Sequence, residues 1–189
     1  MPANVERARR LFTRAEYHCM GDAGILKPTE RVELIRGEII EMSPIGPRHV
    51  AFVNNLTQLL VLRLAGRAVV SVQNPVALDD DTEPEPDLAI LRRRVATPYK
   101  ESEPATEDVL LLIEVGDTSL PYDRGIKLRL YAEAGIPEYW VVDTAAELIE
   151  IHRGPGAGGY GEIRRLTAGA TVSPLAFPDV TLTPAEIFA

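Results

Sequence analysis

The chain has 189 residues, 46% of them hydrophobic and 25% charged, an ordinary balance for one domain with a sizeable core that argues against a disordered polar chain. Its one cysteine, Cys19, excludes a disulfide framework and a cysteine-rich zinc site. The net charge of -8 speaks weakly against a dedicated nucleic-acid coat protein, and says little about an enzyme that touches DNA locally.

Residues 1–12 are basic and weakly patterned, a mobile start to a single domain over 13–189. Thr13 and Glu16 have the spacing of a capping box, which predicts a short helix over 14–20, ended by Gly21 and Gly24. Residues 31–35 and 38–42 read as a hairpin about Arg36 and Gly37. After a proline-containing entry loop, Phe52, Leu56, Leu59, Leu60 and Leu64 mark one face of a helix over 48–64, with Arg63 near its end. Strand-like pieces at 69–72 and 76–78 precede an acidic loop over 79–85 and a strand that begins at Asp87. Residues 92–108 form a long polar excursion, then 109–115 a strand apolar enough to be buried on both faces. A helix over 122–134, stopped by Gly135, leads to another buried strand over 138–143, most simply a parallel right-handed crossover. A β appendix follows: 147–152, a glycine-rich turn, 160–166, a final strand near Val172 and a short turn at 184–189. No apolar run approaches the roughly 18 residues of a membrane span, and no signal-peptide core is visible. A soluble cytoplasmic protein is expected.

Glu114 interrupts the most apolar strand, and a carboxylate there costs several kcal/mol, roughly, unless a proton, a cation or hydrogen bonds compensate it. Asp87 stands at the start of the neighbouring strand; if the two strands pair antiparallel, both carboxylates reach the same sheet edge. Two such acids without a sequence-local cation suit a divalent ion with oxygen ligands, magnesium or manganese. The plainer alternatives are a loop-capping Asp87 and a Glu114 paired with an arginine. Lys127 shares a helix face with Leu130, Tyr131 and Ala134 and is therefore directed inward, where it can orient water or stabilise negative charge; the plainer alternative is a snorkelling lysine. His49, at the start of the long helix, can approach a phosphate or simply cap and pack, and Tyr131 can bond in the site or simply pack. Arg92, Arg93 and Arg94 can flank a nucleic-acid groove, and Arg7, Arg9, Arg10 and Arg14 can form an arm, although solvated charge is the commoner meaning of each run.

The stretches 113–119 (IEVGDTS), 122–127 (YDRGIK), 130–132 (LYA) and 134–143 (AGIPEYWVVD) resemble the bacterial Uma-two family, classed as restriction-endonuclease-like. Residues 33–38 (ELIRGE), 42–44 (MSP) and Pro86-Asp87 resemble it too, so the similarity covers nearly the whole chain after Leu11. The resemblance implies a PD-(D/E)XK core, with Asp87 as the first acid and Glu114-Val115 opening the second motif. Position 116 departs from that pattern, being glycine where lysine is usual, and the resemblance makes Lys127 the replacement. It also implies that Asp87, Glu114 and the Val115 backbone carbonyl hold the ion, and that a further acid near the first long helix, Glu33 or Glu38, contributes. Strand alternation alone does not choose between those two.

The expectation is a single α/β domain with a restriction-endonuclease-like core, a mixed central sheet flanked by helices with added β hairpins. Its expected function is magnesium- or manganese-dependent hydrolysis of phosphodiester bonds in DNA, as a homodimer by analogy with the superfamily. Two other classes remain open: a catalytically inactive binding or regulatory protein on the same fold, and a metal-dependent hydrolase of a small phosphorylated or acidic molecule.

Overall fold

The structure is a computed structural model that describes residues 9–94, 99–100 and 102–189. Of the four arginines of the expected N-terminal arm only Arg7 lies outside the described residues, as does part of the 92–108 excursion; Arg9, Arg10 and Arg14 pair with Glu38, Glu16 and Glu83. Helix α1 (Arg14–Asp22) starts at the expected capping box, in which the Thr13 side chain accepts from Glu16 N and the Glu16 carboxylate accepts from Thr13 N. It runs two residues past the expected stop, because Gly21 stays helical and the turn is made at Gly24, at φ 71. Strands β1 (Val32–Ile35) and β2 (Glu38–Glu41) form an antiparallel hairpin of their own. Its two-residue turn holds Arg36 and Gly37 at φ 51 and 76, the left-handed pair that matches strand twist.

Helix α2 (Pro47–Leu64) opens with proline in its first turn and buries Phe52, Val53, Leu56, Leu60 and Leu64. The main sheet has six strands, β3 (Ala68–Val72), β4 (Leu88–Arg92), β5 (Val109–Gly116), β6 (Glu138–Asp143), β7 (Leu148–Gly156) and β8 (Gly159–Leu166), in sequence order. Only β5 and β6 pair parallel; the other neighbours are antiparallel, so the sheet is mixed. Alternation along β5 divides the core. Leu111, Ile113 and Val115 pack in the cluster that includes the α2 face, while Leu112 packs with Leu130, Tyr131 and Tyr139 on the other side. Glu114 shares the parity of Leu112, so its carboxylate faces the crossover helix.

That crossover is not one regular α-helix over 122–134. It consists of α3 (Leu120–Tyr122), a π-helical turn over Asp123–Lys127, and α4 (Leu128–Glu133). The wider turn lets Asp123 and Lys127 both lie buried beneath it. Two expected strands shrink to single bridges, Ala77 with Ala105 and Val172 with Leu182. The last short helix, α5 (Pro184–Ile187), docks on α2, where Asn55 Nδ2 donates to the carbonyls of Glu186 and Ile187 at 2.6 and 2.9 Å. Among the described residues no helix is long and apolar enough to cross a membrane.

Candidate active site

The antiparallel register that pairs Leu88 with Ile113 brings Asp87 beside the end of β5. Val115 N donates to Asp87 Oδ2 at 2.8 Å, which ties the loop acid to the strand carrying Glu114. Glu114 is 4% exposed, and its Oε1 accepts from Lys127 Nζ at 2.9 Å and from the Tyr131 hydroxyl at 2.8 Å. Lys127 Nζ also lies 3.2 Å from Glu33 Oε2. Glu33 in turn accepts from the Tyr122 hydroxyl at 3.1 Å and from Glu85 N at 3.1 Å. The hairpin thus delivers Glu33, not Glu38, to the lysine. Glu38 sits on the outer side of the turn, where it pairs with Arg9 at 2.6 Å.

His49 Nδ1 donates to the Val115 carbonyl at 2.7 Å, and its Nε2 is 3.0 Å from Asp87 Oδ1 without the alignment of a hydrogen bond. Burial pulls the imidazole pKa down and Asp87 pulls it up; the balance is above the ordinary value. Asp123 and Ser119 were not anticipated from sequence. Ser119 Oγ donates to Asp123 Oδ2 at 2.8 Å, and burial, opposed by Lys127, pushes the Asp123 carboxyl up to about 6. The signal for Asp123 was available, since it stands four residues before Lys127 and so on the same helix face.

Gly116 stands where the strand meets the crossover helix. A Cβ there would lie 2.7 Å from Leu120 Cδ2 and 2.9 Å from Asp123 Oδ2. A side chain at this position must displace Leu120 or Asp123, on the helical segment that also carries Lys127. The arginines of the 92–94 run are drawn elsewhere. Arg93 donates to the Gly66 carbonyl at 2.8 Å, Arg94 pairs with Asp108, and Arg92 is exposed at the far end of β4. None of the three lines the cleft.

Glu33, Asp87, Glu114 and Asp123 all line one cleft of about 580 Å³ together with Lys127. Four largely buried carboxylates line it with one buried ammonium, and burial, joined by the charges of Asp87 and Asp123 and opposed by Lys127, holds Glu114 well above its ordinary pKa. An oxygen-rich donor set with surplus negative charge fits a hard divalent cation such as magnesium or manganese. A second acidic group, His18, Glu83 and Glu103, also has ligand spacing. There Arg14 pairs with both glutamates, so a cation of the chain itself already sits against that group.

A family model described as "Putative restriction endonuclease", Uma2, matches residues 14–185. None of the curated proteins matches the chain. Among solved structures, a protein from Anabaena variabilis described as "a putative nuclease belonging to DUF820" superposes with a TM-score of 0.72 at 16% identity, covering 94% of this chain and 97% of that one. At that identity the likeness speaks for the fold, a mixed α/β nuclease fold. The family match spans both acids, the lysine and the helix that carries it, and by it the chain belongs to the Uma2 family.

Proposed function

We propose that this protein is a metal-dependent endonuclease that hydrolyses phosphodiester bonds in DNA, with Asp87, Glu114 and the Val115 carbonyl as ion ligands. The observation that carries the reading is the buried Lys127, bound to Glu114 at 2.9 Å in the cleft that Asp87 also lines. A divalent cation held there would supply Lewis-acid polarisation and would lower the pKa of water. Water attacks the phosphorus and gives up a proton to solvent, the P–O bond to the leaving oxygen breaks, and that oxygen takes a proton from solvent, so the step is neutral overall. Lys127 is an ammonium at neutral pH, because Glu114 and Glu33 hold its pKa up against the effect of burial. It acts as a fixed positive charge and hydrogen-bond donor to the attacking water or to the phosphoryl oxygens as negative charge builds there. Tyr131 locks the Glu114 carboxylate, and His49 braces Asp87 against the Val115 carbonyl. A homodimer that presents two such clefts to a duplex belongs to the same proposal.

A second reading, hydrolysis of a small phosphorylated molecule, is favoured by the cleft wall. Ile40, Met42, Pro44, Ile45 and Pro47 give it an apolar side, and its volume of about 580 Å³ suits a small ligand. The deciding assay offers plasmid, single-stranded DNA and a small phosphodiester to the wild type with magnesium or manganese, beside Asp87→Ala, Glu114→Ala and Lys127→Ala checked for folding. DNA cleavage lost in all three variants supports the nuclease. Turnover of the small ester without DNA cleavage selects the second reading, and equal activity in all four proteins removes this site.

A further inference from the structure

A phosphate that enters this cleft meets six acidic side chains, four of them largely buried, so it needs a positive group that is not already spent on those four. Three permanently charged side chains line the cleft among the described residues: Lys127, Arg48 and Arg31. Lys127 is buried and divided between Glu114 and Glu33. Arg48 donates to the Thr144 carbonyl at 2.7 Å and lies 6.0 Å from the Phe52 ring. Arg31 differs. Its contacts are long, Nη2 to Glu85 Oε1 at 3.3 Å and Nη1 to the Ser43 carbonyl at 3.5 Å, and its side chain is 33% exposed. A guanidinium has five N–H donors in a planar fork, so most of its capacity remains for a ligand. Arg31 lines the same cleft as His49 and Asp87, which places it on the approach to the acids.

We infer that Arg31 is the substrate-phosphate anchor of this cleft, a positioning residue whose fork grips a phosphate beside the carboxylate cluster, while Lys127 serves the bond that breaks. The inference rests on the phosphodiesterase reading, and it gives the phosphate specificity to Arg31, at the mouth between β1 and the 43–47 loop, in place of the 92–94 run. An Arg–phosphate fork is a charge-assisted bidentate contact, so glutamine, which keeps a donor for Glu85 and Ser43, cannot replace it.

The test measures binding of a labelled single-stranded oligonucleotide, its duplex and inorganic pyrophosphate in EDTA, then cleavage with manganese. Wild type is compared with Arg31→Gln, Arg31→Lys and, as control, Arg164→Gln, whose side chain is on the exposed face of β8. Expected is about 10-fold or weaker binding for Arg31→Gln, with intermediate loss for Arg31→Lys and none for the control. The dependence of log affinity on log salt should flatten by about 0.7 for the single strand and about 0.9 for the duplex, one phosphate contact's worth. In cleavage the loss should appear in KM with kcat largely kept. Wild-type affinity and an unchanged salt slope in Arg31→Gln overturn the inference while leaving the nuclease intact. Pyrophosphate binding that depends on Arg31, with no oligonucleotide bound or cut, keeps the anchor and overturns the nuclease. A wild type that binds none of the three probes overturns the anchor.

Discussion

Two buried charge networks in this protein answer the same electrostatic problem in opposite ways. On β6 and β7 every acid has its cation. Glu138, fully buried, accepts from Arg153 at 2.6 and 2.8 Å, from Trp140 Nε1 at 2.9 Å and from Leu175 N at 2.6 Å. Glu150 is bound by Arg165 and Arg124, and Arg124 also holds Asp143. Burial alone would raise Glu150 and Asp143, yet hydrogen bonds and arginine charge bring both below their ordinary pKa values. In the cleft the sign reverses. Glu114 and Asp123 lie above their ordinary values, because burial and neighbouring carboxylates outweigh the single lysine. Buried charge as such is therefore no mark of a site here; uncompensated charge open to a cleft is what sets the candidate site apart.

If that distinction holds, the two networks must respond differently to the loss of one member. Lys127→Met should slow metal-dependent cleavage by about 10²- to 10⁴-fold, the range for a lost catalytic donor. Arg165→Ala, at the rim of the balanced network, should leave the rate within a few-fold. A rate for Lys127→Met close to wild type would break the comparison.

On stability the roles exchange. Arg153→Ala strands Glu138 without its cation and should lower the unfolding free energy by about 3–5 kcal/mol, read by urea denaturation. Glu114→Gln keeps the shape, removes one surplus negative charge and leaves Lys127 on Glu33. Without added metal it should unfold no more easily than wild type while losing activity. Equal destabilisation by both substitutions would mean that the cleft is an ordinary structural network.

Gly116→Ala sharpens the picture at the join of strand and helix. Its Cβ must displace Leu120 or Asp123, so a loss of about 1–3 kcal/mol is expected, together with reduced cleavage. A melting temperature equal to wild type would show that α3 gives way easily.

The smallest effect concerns His152, buried against Tyr139 and Tyr160 with neither ring nitrogen hydrogen-bonded. Burial lowers its pKa, helped by Arg165 and Arg124 and opposed by Glu150 at 3.8 Å. The unfolded chain then binds the proton more readily, so this group's contribution is intact at neutral pH and is lost as pH falls through the ordinary histidine range. His152→Phe should flatten that part of the stability profile; an unchanged slope between pH 7 and 5 would refute it.

Much of this was legible before folding was considered. A carboxylate in an apolar strand, an acid at the mouth of its neighbour and a lysine on an apolar helix face are all local patterns, and they meet in the structure as Glu114, Asp87 and Lys127. The π turn was not legible, because one extra residue per turn leaves the apolar spacing of 120–134 nearly unchanged. Arg92 to Arg94 read as one basic run, yet Arg93 and Arg94 found separate partners on either side of the strand end.

Strand parity and helix periodicity are properties of consecutive residues, so the chain alone decided which faces of β5 and of the crossover helix are apolar, and hence that Glu114 and Lys127 point inward. Which acid of the hairpin joins them, and which arginine at the cleft is held only by long contacts, depended on tertiary packing. Glu33 reaches Lys127 because β1 lies against the 83–85 segment, through the Leu34–Glu83 backbone pair and the Glu85 N bond, and Glu38 on the facing strand is turned to Arg9. A charge acquires its meaning from the partner that packing brings to it, and that partner is up to 94 residues away for Glu33 and Lys127.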